Sequence, residues 1–319
     1  MGIRIPVVID TDNSFGISGA EVDDAFALAA ALALPALDVL AVTTVHGNAG
    51  IGDVTTATRM LMRDLGRPEL RVERGAGRPL RRPLRVRIPD GADDGADDDG
   101  GAALDALASA VRSRPGEVVI IALGPLTNIA RLLTREPDIA GMVKEIVAMG
   151  GVFSGTTGRL DLPGEFNIWV DPDAAAVVLG SGAPLRMVGL DVTERVRLTS
   201  DMARALAAED GVIGRLGRHA LEWISVVGHR RPHDPRAQGS CAMHDAMAVA
   251  AVVRPDLMDW HDARLEVETQ SDLTRGVIVA DLGLTARPPA PNARIALDIR
   301  AGEGIRWLSD LLVMPPTRG

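Results

Sequence analysis

Tyrosine is absent from the 319 residues, cysteine occurs once, as Cys241, and lysine once, as Lys144. A lone cysteine excludes an intrachain disulfide. With aromatics at 3% of the chain, a pocket that stacks on a planar ligand has only four Phe and four Trp residues to draw on. An excess of positive charge is also lacking. The formal net charge is −9, which argues against a nucleic-acid-binding surface, since that needs a basic stripe. The near-exclusive use of Arg as the basic residue reads as compositional bias. No apolar run is long enough to span a bilayer, and the opening MGIRIPVVID runs straight into strand-like sequence without the apolar core and cleavage site of a secretory leader. The expectation is a cytoplasmic protein with no membrane and no nucleic-acid partner.

What is present is ordinary globular material: 46% hydrophobic and 24% charged residues. A chain of this length can bury a large core as one α/β domain or as two smaller ones. No internal repeat and no linker separates parts of it, so residues 1–319 are read as one domain. Short apolar, β-branched runs predict strands at 5–9, 39–45, 70–73, 118–123, 146–149 and 185–188, interleaved with helices at 22–34, 53–65, 126–133 and 173–179. Such alternation predicts an α/β fold with a mainly parallel central sheet flanked by helices. Beyond residue 199 the pattern is mainly helical to about 253. Strands follow near 265–267, 277–280 and 295–297, with a last helix around 305–312. Residues 90–101, DGADDGADDDGG, hold no side chain able to bury apolar surface and read as a solvated loop, with a second metal site as the alternative.

Parallel sheets place ligands beyond the C-terminal ends of their strands. Four such ends carry suggestive residues here: Asp10 and Asp12, followed by Asp23 and Asp24; His46 and Asn48; GPLTN at 124–128; and MGG at 149–151 followed by EFN at 165–167. His244-Asp245 opens a later helix. Asp23 and Asp24 could simply cap the helix they begin, because carboxylates suit a helix N-terminus. Four Asp residues in one strand–loop–helix unit, however, repel one another unless a cation or protons neutralise them. Hard oxygen ligands select Ca²⁺ or Mg²⁺ over Zn²⁺.

These motifs, taken in order, resemble the nucleoside hydrolase family. IDTDNSFGISGAEVDDAFALAAAL is similar to the family's opening D-x-D-P-G-x-D-D-A with a longer loop between its halves. TTVHGN, ALGPLTNIA, VAMGG with GEFNIWVDPDAA, MHDAMAV and LTRGVIVAD resemble its later segments. The likeness runs along nearly the whole chain.

The resemblance implies the nucleoside hydrolase fold and hydrolysis of the N-glycosidic bond of a ribonucleoside or related N-riboside. It implies a Ca²⁺ held by Asp12, Asp24, Asp245 and the backbone carbonyl of Leu123. Asp12 would take the proton of the attacking water, and the transition state would have oxocarbenium character with inversion at the anomeric carbon. Asp23 would hold the 2′-hydroxyl, Asn48 and Asn167 would fix the ribose, and Glu165 would reach the 5′-hydroxyl. His244 would protonate the leaving base, unless it is a structural residue at a helix start. A homodimer or homotetramer is implied as well.

The chain departs from the pattern in four places. The Pro-Gly after D-x-D is replaced by the loop 13–22, either a lid over the ribose or an insertion away from it. The family's Asn before Glu165 falls on Arg159, which suggests an anionic 5′ substituent unless the side chain faces solvent. The Asp/Gly run stands where the family has a His-Gly segment, and base-side tyrosines are impossible. Two rival readings remain. A haloacid dehalogenase-type phosphatase also opens with a strand and D-x-D, but needs a downstream Lys, and Lys144 leads directly into an apolar strand. A non-catalytic nucleoside- or sugar-binding protein on the same scaffold is the other.

Overall fold

Alternating strand-forming and helix-forming sequence builds the first two thirds of the chain. The computed structural model describes residues 4–81, 100–284 and 286–313. Its elements run β1 (Ile5–Thr11), α1 (Asp23–Ala33), β2 (Leu37–Thr44), α2 (Ile51–Asp64), β3 (Val72–Arg74), α3 (Gly101–Ser113), β4 (Val119–Ala122), α4 (Thr127–Arg135), α5 (Ile139–Met142), β5 (Glu145–Met149), α6 (Phe166–Val170), α7 (Pro172–Gly180), β6 (Leu185–Val188) and α8 (Leu190–Thr193). Then come β7 (Arg197–Thr199), α9 (Ser200–Ala207), α10 (Gly211–Arg230), β8 (Ser240–Ala242), α11 (His244–Val253), β9 (Met258–Val267), β10 (Ile278–Asp281), β11 (Ala293–Ile299) and α12 (Ala301–Val313).

The main sheet has nine strands in the order β10-β9-β11-β6-β5-β4-β1-β2-β3. All neighbours from β11 to β3 pair in parallel, and β9 alone runs against them. The mainly parallel sheet expected from the alternation is therefore present, in a single α/β domain. Both faces are covered, and the two-residue period of a strand divides its side chains between two cores. Val7 and Ile9, Val119 and Ile121, and Val147 and Met149 point into one core with α1, α11 and α12. Val8, Ile120 and Ala122, and Ile146 and Ala148 point into the other with α3, α4 and α7. The Ala- and Val-rich α11 is buried on nearly all sides. A helix apolar all round belongs inside a structure.

Several elements differ from expectation. Helix α3 follows directly on the acidic run, whose residues 90–99 lie outside the described residues. Its Leu104, Leu107, Ala108 and Val111 form a regular buried stripe. β9 extends back to Met258, where its alternating exposed residues mask the strand signal. The mainly helical stretch after residue 199 is interrupted by β8, which pairs antiparallel with β7 just ahead of that stretch.

Candidate active site

Four parallel strands bring their C-terminal ends to one place. The end of β1 supplies Asp10 and Asp12, the turn after β2 supplies His46 and Asn48, the end of β4 supplies Leu123, and β5 leads into Gly150 and Gly151. The helices that start above these ends complete the site. α1 begins with Asp23 and Asp24, and α11 with His244 and Asp245.

Asp12, Asp23, Asp24 and Asp245 are all buried. Oxygens of Asp23, Asp24 and Asp245 lie within 4.8 Å of one another. Asp12 stands against this trio, and its negative charge repels those of Asp24 and Asp245. The main-chain N–H of Asn48 donates to Asp12 Oδ2 at 2.8 Å, and the Asn48 amide donates to Asp24 Oδ2 at 3.2 Å. The Thr11 hydroxyl donates to Asp24 Oδ1. A Cβ on Gly124 would stand 3.0 Å from Asp12 Oδ1, so only glycine lets the β4–α4 turn come this close to the carboxylate. Asp23 does not cap its own helix. Its Oδ2 accepts the main-chain N–H groups of His244 and Asp245 at 3.0 and 3.2 Å, at the start of α11.

Burial, followed by mutual repulsion, pushes these carboxyls up. Asp23 rises to about 7 and Asp12 and Asp245 rise well above the usual carboxylate range. Asp24 rises less, because Thr11, Asn48 and the Asp12 main chain bond to it, and it shares a hydrogen bond with Asp245. Among the described residues none of the four takes part in an ion pair; Arg197 and Arg231 of this region are paired with Glu194 at 3.0 and 3.1 Å. A buried all-oxygen donor set without a cationic side chain fits a hard divalent cation, which would neutralise the charges that burial otherwise forces toward protonation.

Glu165 and Asn167, expected on the sugar side, lie at the start of the short helix α6. Glu165 is its N-cap, accepting the N–H groups of Asn167 at 2.9 Å and Ile168 at 3.2 Å, and also that of Gly151 at 3.0 Å. The Asn167 amide donates to Leu123 O at 2.7 Å and Met149 O at 3.3 Å. Arg159 is not part of this constellation. It is exposed, on the loop before α6, and forks onto Asp161 at 2.6 and 3.1 Å.

His244 is half-buried, with Nδ1 2.7 Å from the Thr193 hydroxyl. Burial holds it down at about 4, against the opposing pull of the nearby Glu194. The loop 13–22 leans on α10: the Ser18 hydroxyl and the Gly19 N–H donate to Glu222 at 2.8 and 3.2 Å, and the Phe15 and His219 rings stand 4.8 Å apart.

Several buried polar residues carry no role in the sequence reading. Asp10 accepts from Thr43 at 2.6 Å and Asn128 at 2.7 Å, and burial lifts it to about 7. His46 Nε2 meets Thr127 Oγ1 at 3.0 Å, and Thr127 in turn donates to Asp171 at 2.7 Å. Asn128, Thr127 and Asp171 lie inside the GPLTN and DPD segments, and that placement is the only signal the chain offers for them. Lys144 sits at the opposite, N-terminal end of β5, with its N–H on Val118 O. That position removes the phosphatase reading, which needs a lysine beside the D-x-D.

The profile of the family described as inosine-uridine preferring nucleoside hydrolase matches residues 7–304. The chain is 34% identical over 326 residues to the non-specific ribonucleoside hydrolase RihC of Escherichia coli O157:H7, covering 98% of this chain and 100% of that one. Among solved structures it is similar to the plant nucleoside hydrolase PpNRh1, with a TM-score of 0.85 at 27% identity over 98% of this chain and 100% of that one. It is also similar to a purine-preferring ribonucleoside hydrolase from Gardnerella vaginalis, with a TM-score of 0.80 at 26% identity over 96% and 98% of the two chains.

Proposed function

This chain belongs to the inosine-uridine preferring nucleoside hydrolase family, and we propose on that basis how its own residues carry out the reaction. It is an enzyme that hydrolyses the N-glycosidic bond of ribonucleosides, giving ribose and the free base. The observation that carries the reading is the buried carboxylate cluster of Asp23, Asp24 and Asp245, with Asp12 beside it, at the ends of the parallel strands.

In this reading Asp12, Asp24, Asp245 and the Leu123 carbonyl would hold Ca²⁺. When bound, the cation supplies Lewis acidity that lowers the pKa of a water. Asp12, with Oδ2 fixed by the Asn48 N–H, accepts a proton from the attacking water. The new C–O bond forms on the face of the sugar opposite the base as the C–N bond breaks, so the anomeric carbon inverts. The carboxylates stabilise the positive charge that develops on the ring. Asp23 holds the 2′-hydroxyl, Asn48 and Asn167 fix the ribose, and Glu165 accepts the 5′-hydroxyl. The electron pair of the broken bond leaves with the base, and His244 in its protonated form, which burial disfavours, would deliver a proton to it. His244 has Nδ1 on Thr193, so Nε2 is the nitrogen available to the leaving group.

The favoured substrate is a neutral nucleoside. The anionic 5′ substituent suggested by Arg159 loses support because that guanidinium is exposed and already satisfied by Asp161. Cytoplasmic residence and a homodimeric or homotetrameric assembly complete the proposal. Release of reducing sugar from a panel of purine and pyrimidine ribonucleosides tests it. Turnover of at least one neutral ribonucleoside is expected, and no turnover of any, with calcium present, would refute the assignment.

A further inference from the structure

The LTRG segment, residues 273–276, has no part in the chemistry above, yet its arginine is among the few buried charged groups of the protein. Arg275 is 3% exposed. Its Nε donates to Trp169 O at 2.7 Å and an Nη donates to Val170 O at 2.9 Å. Its guanidinium carbon lies 5.8 Å from the centre of the Trp169 ring. Trp169 and Val170 are the last two residues of α6.

Helix α6 is five residues long, little more than one turn, closed by the Trp169 N–H on Glu165 O at 2.7 Å. A helix this short has almost no cooperative stability of its own. Its final carbonyls have no partner within the helix. Arg275 occupies two of them, and its positive charge sits at the end of the helix where the dipole favours a cation. The other end of α6 is Glu165, two residues before Asn167.

The neighbouring glycines tighten the same junction. Gly276 has φ +71°, and a Cβ there would lie 2.6 Å from Trp169 Cα and 2.8 Å from Trp169 N. Gly164, immediately before Glu165, lets its own main chain pack against Gly276, and a Cβ there would lie 2.9 Å from Arg275 O. Arg275 and Gly276 therefore hold the chain on both sides of Glu165. The turn that carries them joins β9 to β10 and is closed by the Gly276 N–H on Glu268 O at 3.0 Å and the Glu268 N–H on Val277 O at 2.9 Å.

We propose that Arg275, backed by Gly276, is a positioning residue that acts through α6 to aim Glu165 and Asn167, so that the β9–β10 turn at the antiparallel edge of the sheet sets recognition of the sugar's 5′-hydroxyl. The inference rests on the reading that Glu165 binds that hydroxyl. Arg is required rather than Lys because two adjacent carbonyls need a planar fork, which a single ammonium does not match.

The test compares kcat/KM for a ribonucleoside and its 5′-deoxy analogue in the wild type, Glu165→Gln, Arg275→Gln and Arg275→Lys, with calcium affinity measured alongside. Misplacement by about 1 Å costs on the order of 10²-fold in rate. Both Arg275 variants should therefore narrow the preference for the 5′-hydroxyl by roughly tenfold or more, Gln further than Lys, while the calcium affinity of the Asp cluster stays near the wild-type value. Glu165→Gln should narrow it too. If Arg275→Gln does not fold, Arg275→Lys carries the comparison. Equal losses on both substrates in the Arg275 variants, or an unchanged preference while Glu165→Gln narrows it, would overturn the role of Arg275 alone. An unchanged preference in Glu165→Gln would bring down the 5′ reading and the inference with it.

Discussion

Asp23 accepts the main-chain N–H of His244 at 3.0 Å, across 221 residues of chain. One carboxylate oxygen thus fixes the start of α11, where Asp245 and His244 enter the site, while the residue itself begins α1. Asp23→Ala should lose the cap, at about 1 kcal/mol of stability, and lower turnover as well. Asp23→Asn keeps an oxygen for the cap and removes a negative charge from a crowded cluster. Its metal-free fold should be as stable as the wild type or more so, with turnover still lost. Thermal unfolding of the two variants without metal checks this, and equal destabilisation in both would contradict it.

The buried carboxyls predict an unusual pH dependence. Asp10 and Asp23 are raised from the ordinary carboxylate range of about 3.9 to about 7, and Asp12 and Asp245 are raised as well. The folded protein therefore binds more protons than the unfolded chain between about pH 4 and 7, and stability falls as pH rises through that window. His46 and His244 are held down at about 3 and 4 and act the opposite way, but the acids outnumber them. Metal-stripped protein should melt lower at pH 8 than at pH 5.5, and added calcium should erase or reverse the difference. A stripped protein that melts higher at pH 8 would contradict the assignment.

The outline of this site is legible in the chain itself. The D-x-D and D-D-A halves mark the strand end and helix start that meet in space, and strand β6 occupies the 185–188 expected from its apolar run. What is not legible depends on contacts between distant segments. Helix α6 is too short to show a helical period, so Glu165 and Asn167 stand out only as a motif. Asn128 reaches Asp10 from 118 residues away and Arg275 reaches Trp169 from 106, and local sequence carries no trace of either partner. For the loop 13–22, sequence leaves both a lid and an insertion open. Its attachment to Glu222 and His219 depends on where α10 packs.

His244→Ala should slow hydrolysis of ordinary nucleosides by about 10²–10⁴-fold, the usual range for a general acid. A riboside whose leaving group is already a stable anion, such as p-nitrophenolate, needs no proton and should be affected far less. Steady-state rates on both substrates separate the two cases. An equal loss on both would assign His244 a structural role instead.

Arg159→Ala should leave kcat/KM for neutral nucleosides within about twofold, because an exposed ion pair contributes little. It should also leave 5′-phosphorylated nucleosides as poor substrates. A selective fall on 5′-anionic substrates alone would restore Arg159 to the sugar site.

Calorimetric titration of calcium into stripped enzyme, with turnover assayed at each addition, tests the metal site of Asp12, Asp24 and Asp245 most directly. One ion per chain is expected, with activity rising in step and both lost in Asp24→Ala and Asp245→Ala. Full turnover without any divalent cation, or unchanged calcium binding in those two variants, would contradict the assignment of the cluster as the metal site.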